Sequence, residues 1–279
     1  MSASLWTDVS DLSVVADTAL KLAARFWFLV AALGQWIFAA YVVAFYGGSA
    51  VQRNLDAWNK VVPNGYTPGD TVSNVAVAVH LLLAVVILVG GPLQLIPQVR
   101  RHVPSFHRVN GRLYVLALVV TNIAGLYMVW SRGQAASVVQ HVAVSIHAVL
   151  IISFAILAVR YAIARDISTH RRWALRLFML VNSGLFFRIG LTQWILLNEV
   201  PAGFDPMASN GPVINFLSFV DYLLPLVILE MYLRTKDRAG ASGRFAMAGA
   251  LFILTVAMGA GIFAAAIGLW LPRISTISF

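Results

Sequence analysis

The residues of this 279-residue chain best suited to chemistry are its histidines, because most of the six lie in or beside long apolar segments. An imidazole is costly to keep in lipid, so a histidine at membrane depth is a functional hypothesis by default and needs a partner. Five positions fit this description: His80, His107, His141, His147 and His170.

Four of these histidines form two pairs on alternate apolar segments. His80 and His147 lie toward the outer ends of the second and fourth segments, whereas His107 and His170 open the third and fifth on the inner side. Haem iron accepts two neutral imidazoles from facing helices. The pattern predicts one or two b-type haems, with each pair as axial metal ligands. For a single haem, the outer pair is the expected site.

His141 is a second candidate on the fourth segment. It is separated from His147 by about 120° around a helix, so the two side chains cannot face one ligand. His147 lies deeper, and we favour it as the ligand, with His141 facing the outer interface. The choice between the two remains open.

The residues around the histidines extend the prediction. Gly111, Tyr114 and Gly125 share a helix face with His107 and leave room for a flat macrocycle or, alternatively, for a closely packed helix. Arg108 and Arg171, each directly after a histidine, would neutralise haem propionates or bind lipid phosphates.

Two charges are expected inside the membrane, Arg188 and Asp221. Their depths coincide, so we expect an ion pair, since neither charge is tolerated alone in hydrocarbon. Alternatively, Arg188 holds a propionate or an anionic substrate and Asp221 orients it.

The composition fixes the fold class. The chain is 60% hydrophobic and 11% charged, against about 25% charged in soluble domains. We predict an all-α integral membrane bundle of about seven transmembrane helices. The predicted spans are residues 26–46, 75–97, 109–130, 138–160, 173–197, 213–232 and 245–271. Cysteine is absent, which excludes iron–sulfur clusters and covalent haem attachment.

The domain organisation follows from these spans. Residues 1–25 are predicted to be a cytoplasmic or interfacial segment with a short surface helix, and residues 26–279 a single transmembrane domain. A Gly-Gly-Pro sequence at 90–92 predicts a break in the second span.

Most of the 20 lysines and arginines flank the spans on one side. The positive-inside rule therefore predicts a cytoplasmic N-terminus, an outer C-terminus and a multi-pass protein of the bacterial inner membrane. The same distribution argues against a nucleic-acid partner, because the basic residues form no separate domain.

The segment from GPLQLIPQVRRHVPSFHRVNGRLYV to STHRRWALRLF resembles a family of predicted bacterial membrane proteins, domain of unknown function 2306. The resemblance covers about residues 75–235 and rests on His80, Gly91 with Gln94, the H-R-x-x-G-R-x-Y string from His107 to Tyr114, H-R-R-W from His170, Arg188 and Glu230. It implies a membrane module and no activity.

The histidine arrangement is also loosely similar to that of di-haem transmembrane cytochromes b. The leading hypothesis is an electron carrier or haem b-dependent oxidoreductase, working between a quinol or cytoplasmic donor and an outer-side acceptor. Quinone is a further expected cofactor or partner.

Three alternatives remain open. They are a proton-coupled small-molecule transporter, an accessory subunit of a larger membrane complex, and a membrane enzyme acting on lipid or quinone. Membrane lipids are expected partners in every case, and a homodimer is a further expectation.

Overall fold

The protein folds as a bundle of long helices, seen in a computed structural model that describes residues 2–62, 64–132, 137–198 and 211–277. The helices are α1 (Ser2–Val42), α2 (Gly48–Val51), α3 (Thr71–Leu95), α4 (Pro97–His102), α5 (Pro104–Arg132), α6 (Val138–Ile163), α7 (Ile167–Val181), α8 (Ser183–Leu197), α9 (Pro212–Arg238), α10 (Ala241–Ala265) and α11 (Leu271–Ser275). Short π-helical turns, Val43–Gly47 and Ala266–Trp270, extend α1 and α10.

The predicted all-α membrane bundle is confirmed. Six helical segments in the described part of the chain are long and apolar enough to cross a membrane, and α7 with α8 makes a seventh candidate, bent by 43°. The many large apolar side chains exposed along them are suited to contact with lipid.

The N-terminal segment has no separate surface helix. A single α-helix runs without a break from Ser2 to Val42, and its apolar span begins at Leu12. The assignment of residues 1–25 to the cytoplasm or the interface stays a prediction.

The predicted break at 90–92 is wrong. Helix α3 continues through Pro92 and ends only at Leu95, before Pro97 opens α4. The Asn110 amide of α5 donates to the Gly90 carbonyl at 3.0 Å, which supports the backbone there. The discontinuity lies instead in the fifth span, at the buried Asn182 between α7 and α8.

The described residues form four hydrophobic clusters, and the two largest join most of the helices. One contains Ile87, Leu118, Ile151, Leu180 and Tyr222 and joins α3, α5, α6, α7 and α9. The other joins α1 to α8 and α10, so that the first and last spans pack on each other and close the bundle. Phe28 of α1 packs against Phe178 of α7, so α1 also lies beside the helix that carries His170.

Candidate functional site

A large cavity lies at the arginine-rich end of the bundle and brings His107 and His170 into one lining. Its volume is about 950 Å³, and its walls come from α1, α3, α4, α5, α6, α7, α9 and α10. We call it the cationic cavity. Its six basic lining residues are Lys21, Arg25, Arg100, Arg108, Arg171 and Lys236.

Most of the charge at this cavity is positive, although Lys21 is ion-paired with Asp17 on the same helix. No aspartate or glutamate is among the described residues that line it, and a broad apolar wall faces the basic groups, with Trp27, Phe28 and Phe178. Cationic groups beside an apolar wall suit a ligand that is both anionic and amphipathic, because each part meets its complement.

His170 is held in a defined orientation. Its Nδ1 lies 2.8 Å from the carbonyl oxygen of Ala158 on α6. Because a carbonyl only accepts hydrogen bonds, Nδ1 must carry the proton. Nε2 of a neutral ring then keeps its lone pair, an arrangement typical of metal-ligating histidines.

The start of α7 fixes where His170 lies. Asp166 caps the helix and accepts hydrogen bonds from the Thr169 amide at 3.1 Å and the Ser168 hydroxyl at 2.9 Å. The hydrogen bonds from Thr169, with a smaller effect from Ser168, hold the pKa of Asp166 below its usual value. His170 therefore lies in the first turn of a well-capped helix.

His107 lies in the first turn of α5, within electrostatic range of His170 and Arg100. Its Nδ1 is buried and has no hydrogen-bond partner among the described residues. Gln94 of α3 donates to the His107 carbonyl at 3.1 Å. The two inner histidines predicted from the sequence therefore line one cavity. Nδ1 of His107 has no hydrogen-bond partner among the described residues.

The outer pair is arranged differently. His80 places Nδ1 3.1 Å from the Thr121 carbonyl of α5, whereas His147 donates from Nε2 to the Leu180 carbonyl of α7 at 2.9 Å. The His147 ring stacks on Tyr222 with ring centroids 4.9 Å apart. Each ring is thus hydrogen-bonded to a different helix, and neither lines the cationic cavity.

The other candidate ligand of the fourth span, His141, lies in the first turn of α6. His141 contacts the Ser137 carbonyl through Nδ1 at 2.7 Å and packs edge-on against Trp130. It is far along α6 from the cationic cavity, at the arginine-poor end.

Of the two roles expected for the glycines of α5, room for a macrocycle or close helix packing, their contacts correspond to helix packing. A Cβ on Gly111 would lie 3.3 Å from Oε1 of Gln94, and one on Gly125 would lie 3.6 Å from the His80 ring. Tyr114 is buried in the core beside Gly91. These three positions belong to the contact between α3 and α5 and do not line the cavity.

The expected ion pair between Arg188 and Asp221 does not form. Arg188 donates to the Gly184 carbonyl at 2.7 Å, and its guanidinium lies 4.5 Å from the Phe38 ring centroid. It interacts electrostatically with Tyr41, Tyr46 and Arg273 at the arginine-poor end. The ring face of Phe38 on α1 takes the place of the predicted carboxylate.

A different ion pair was missed. Arg176 on α7 binds Glu230 on α9 through Nε–Oε1 at 2.6 Å and Nη2–Oε2 at 3.1 Å. Both residues lie near the arginine-rich ends of their spans, and this shared depth was the sequence signal that could have predicted the pair. The contribution of α1 to the cavity had no sequence signal, because it depends on how the spans pack.

Comparison with known proteins places the chain in a family. The model of a family described as "Predicted membrane protein (DUF2306)" matches residues 77–224, just over half of the chain. The match runs from α3 into α9 and includes His80, His107, His170 and Arg188. No curated protein and no solved structure matches the chain, so the likeness to cytochromes b has no support from these comparisons. The chain belongs to this family of predicted membrane proteins.

Proposed function

We propose that the protein is a membrane haem protein that binds a single haem b in the cationic cavity and takes part in electron transfer. The observation that carries the proposal is that His107 and His170, on separate helices, line one cavity with six basic residues. The sequence favoured the outer pair as the site of a single haem; we place it at the inner pair instead, because neither His80 nor His147 lines this cavity.

The side chains of the cavity match the parts of a haem. His170 supplies an Nε2 lone pair fixed by the Ala158 carbonyl, and His107 supplies a second imidazole within electrostatic range. Arg100, Arg108 and Arg171 are suited to the two propionates, and Trp27, Phe28 and Phe178 to the edge and faces of the macrocycle.

Bound haem would supply one-electron chemistry, and the chain would tune it. His107 and His170 would hold the metal, the hydrogen bond at Nδ1 of His170 would make its imidazole more basic, and the nearby basic groups would favour the form that carries more negative charge. The apolar wall excludes water from the ring faces.

The position of the cavity restricts the route of electrons. A single haem at one end of the bundle does not reach the other end, so exchange at the arginine-rich end is the simplest use. A membrane quinone and a partner at that face are the proposed redox pair. By the positive-inside rule this face is cytoplasmic, in a bacterial inner membrane.

The test is an absorption spectrum of the detergent-purified protein, produced with ample haem, before and after dithionite reduction. We expect a Soret band, a sharp α band on reduction, and about one haem per chain. A protein that stays colourless after incubation with haemin would contradict the proposal.

Proton-coupled transport is a second candidate, favoured by the bend at Asn182. Discontinuous helices in transporters expose backbone groups to substrates or ions. In this protein one backbone group beside the bend, the Leu180 carbonyl, accepts a hydrogen bond from the His147 side chain of α6. Uptake of a substrate into proteoliposomes under a pH gradient, absent from empty liposomes, would support this function.

A further inference from the structure

Asp221 is the least explained polar group inside the membrane. It lies on α9, in the middle of the sixth span, and its Oδ1 is buried without a hydrogen-bond partner among the described residues. The expected partner, Arg188, is engaged by Gly184 and Phe38. No salt bridge to Asp221 occurs in the described part of the chain.

A small cavity of about 220 Å³ adjoins this carboxyl group. It lies between α1, α7, α8, α9 and α10, and its lining is almost wholly apolar, with Phe186, Ile189 and Met258 as examples. Gln193 is the other polar side chain, and its amide nitrogen already donates to the Ala257 carbonyl at 2.9 Å. Asp221 is the sole titratable group among the described lining residues, with Tyr222 next to it in sequence.

The environment decides what this carboxyl group can bind. An isolated carboxylate in an apolar medium is so costly that the group takes up a proton or a cation instead. Hard divalent cations require about six or more oxygen ligands, and this cavity offers few. A proton needs only the carboxylate itself.

The small cavity adjoins the cationic cavity. The two share Trp27, Met179 and Ile228 in their linings, so they lie side by side. Movement of these three side chains would connect Asp221 to the arginine-rich end of the bundle.

We propose that Asp221 is a reversible proton-binding site within the membrane, served through the cationic cavity. The proposal does not depend on haem, because none of its steps involves His107 or His170. A proton held at this depth is suited to redox chemistry and to transport alike.

Labelling with dicyclohexylcarbodiimide tests the proposal, since this apolar reagent reaches carboxylic acids inside membranes. The acid O–H adds across one C=N bond, and the O-acyl group then migrates to nitrogen, so the whole reagent is retained and no group leaves. The full chain in lipid vesicles is treated from about pH 6 to about pH 9, and modified peptides are quantified by mass spectrometry.

Glu230 is the matched control, because it lies on the same helix and is ion-paired with Arg176. We expect labelling at Asp221 to fall about tenfold or more across this pH range in a single titration, with Glu230 at background throughout. Asp221→Asn should abolish the label and Asp221→Glu should restore it, with both variants eluting as the folded protein in size-exclusion chromatography.

Three results would overturn the proposal. In the first, Asp221 is labelled no more than Glu230 throughout the pH range. In the second, the Asp221 label does not change with pH. In the third, Asp221 is labelled only after thermal unfolding. A colourless protein that is labelled at Asp221 would remove the haem proposal and leave this one standing.

Discussion

Arg176 and Glu230 join α7 to α9 through two contacts, Nε–Oε1 of 2.6 Å and Nη2–Oε2 of 3.1 Å. The Arg176 guanidinium also lies 4.7 Å from the Trp173 ring centroid. Helix α7 carries His170, and α9 forms an opposing wall of the cationic cavity. The pair therefore sets the distance between two walls of the proposed binding site.

Breaking this pair should destabilise the protein and loosen the cavity. We expect Glu230→Gln to lower the free energy of unfolding by about 1–2 kcal/mol, because Arg176 is left partly buried without its anion. Thermal unfolding in detergent measures the loss. The exposed pair Arg172–Asp237 provides the control, and Asp237→Asn should change the midpoint far less. Equal losses in the two variants would contradict the structural role of Arg176.

The contact between α8 and α10 depends on a glycine. A Cβ on Gly261 would lie 2.3 Å from Cγ2 of Ile189, whereas one on Gly249, on the same helix, would meet nothing within 4 Å. Gly261→Ala should therefore cost about 1–3 kcal/mol of stability, and Gly249→Ala should be nearly neutral. Thermal unfolding of both variants checks this difference, and a neutral Gly261→Ala would show that the two helices are not so closely packed.

The cap of α7 should be sensitive to pH. Because the pKa of Asp166 is lowered by its hydrogen bonds with Thr169, its contribution to stability is fully present above the unfolded value of about 3.8 and is lost as the pH falls through the lower folded value. Asp166→Ala should thus lower the unfolding midpoint at neutral pH, with a difference from wild type that shrinks in acid.

Asp166→Asn is the matched control, because its amide oxygen still accepts from Thr169 but does not titrate. The stability difference between the Ala and Asn variants should stay constant with pH. A wild-type advantage over Asp166→Ala that is undiminished at the acid end would contradict the role of the ionised cap.

The sequence was sufficient for the spans because each depends on composition within one segment of about 20 residues. The segments around His80, His107, His147 and Arg188 are all helical as predicted. Which face packs against which helix depends on the other spans, so the single sequence misassigned the partner of Arg188 and left two roles open for Gly125.

The break predicted at residues 90–92 failed for the same reason, because the local sequence does not show which side chains of other helices pack there. Gly90 and Gly91 with Pro92 are a strong local signal for interruption, yet α3 continues, since Asn110 and Tyr114 of α5 pack against the two glycines. Asn182 carries a weaker signal, yet the fifth span bends there. Its side chain donates to the Phe178 carbonyl and accepts from the Gln35 amide of α1, which stabilises the interruption.

The central claim, a single haem between His107 and His170, is tested most directly by dithionite-reduced minus oxidised difference spectra of four variants. His107→Ala and His170→Ala remove the proposed ligands, and His80→Ala and His147→Ala remove histidines that do not line the cationic cavity. Our account predicts loss of the α band in the first two variants and its retention in the last two. Retention in the first two variants, or loss confined to the last two, would contradict it.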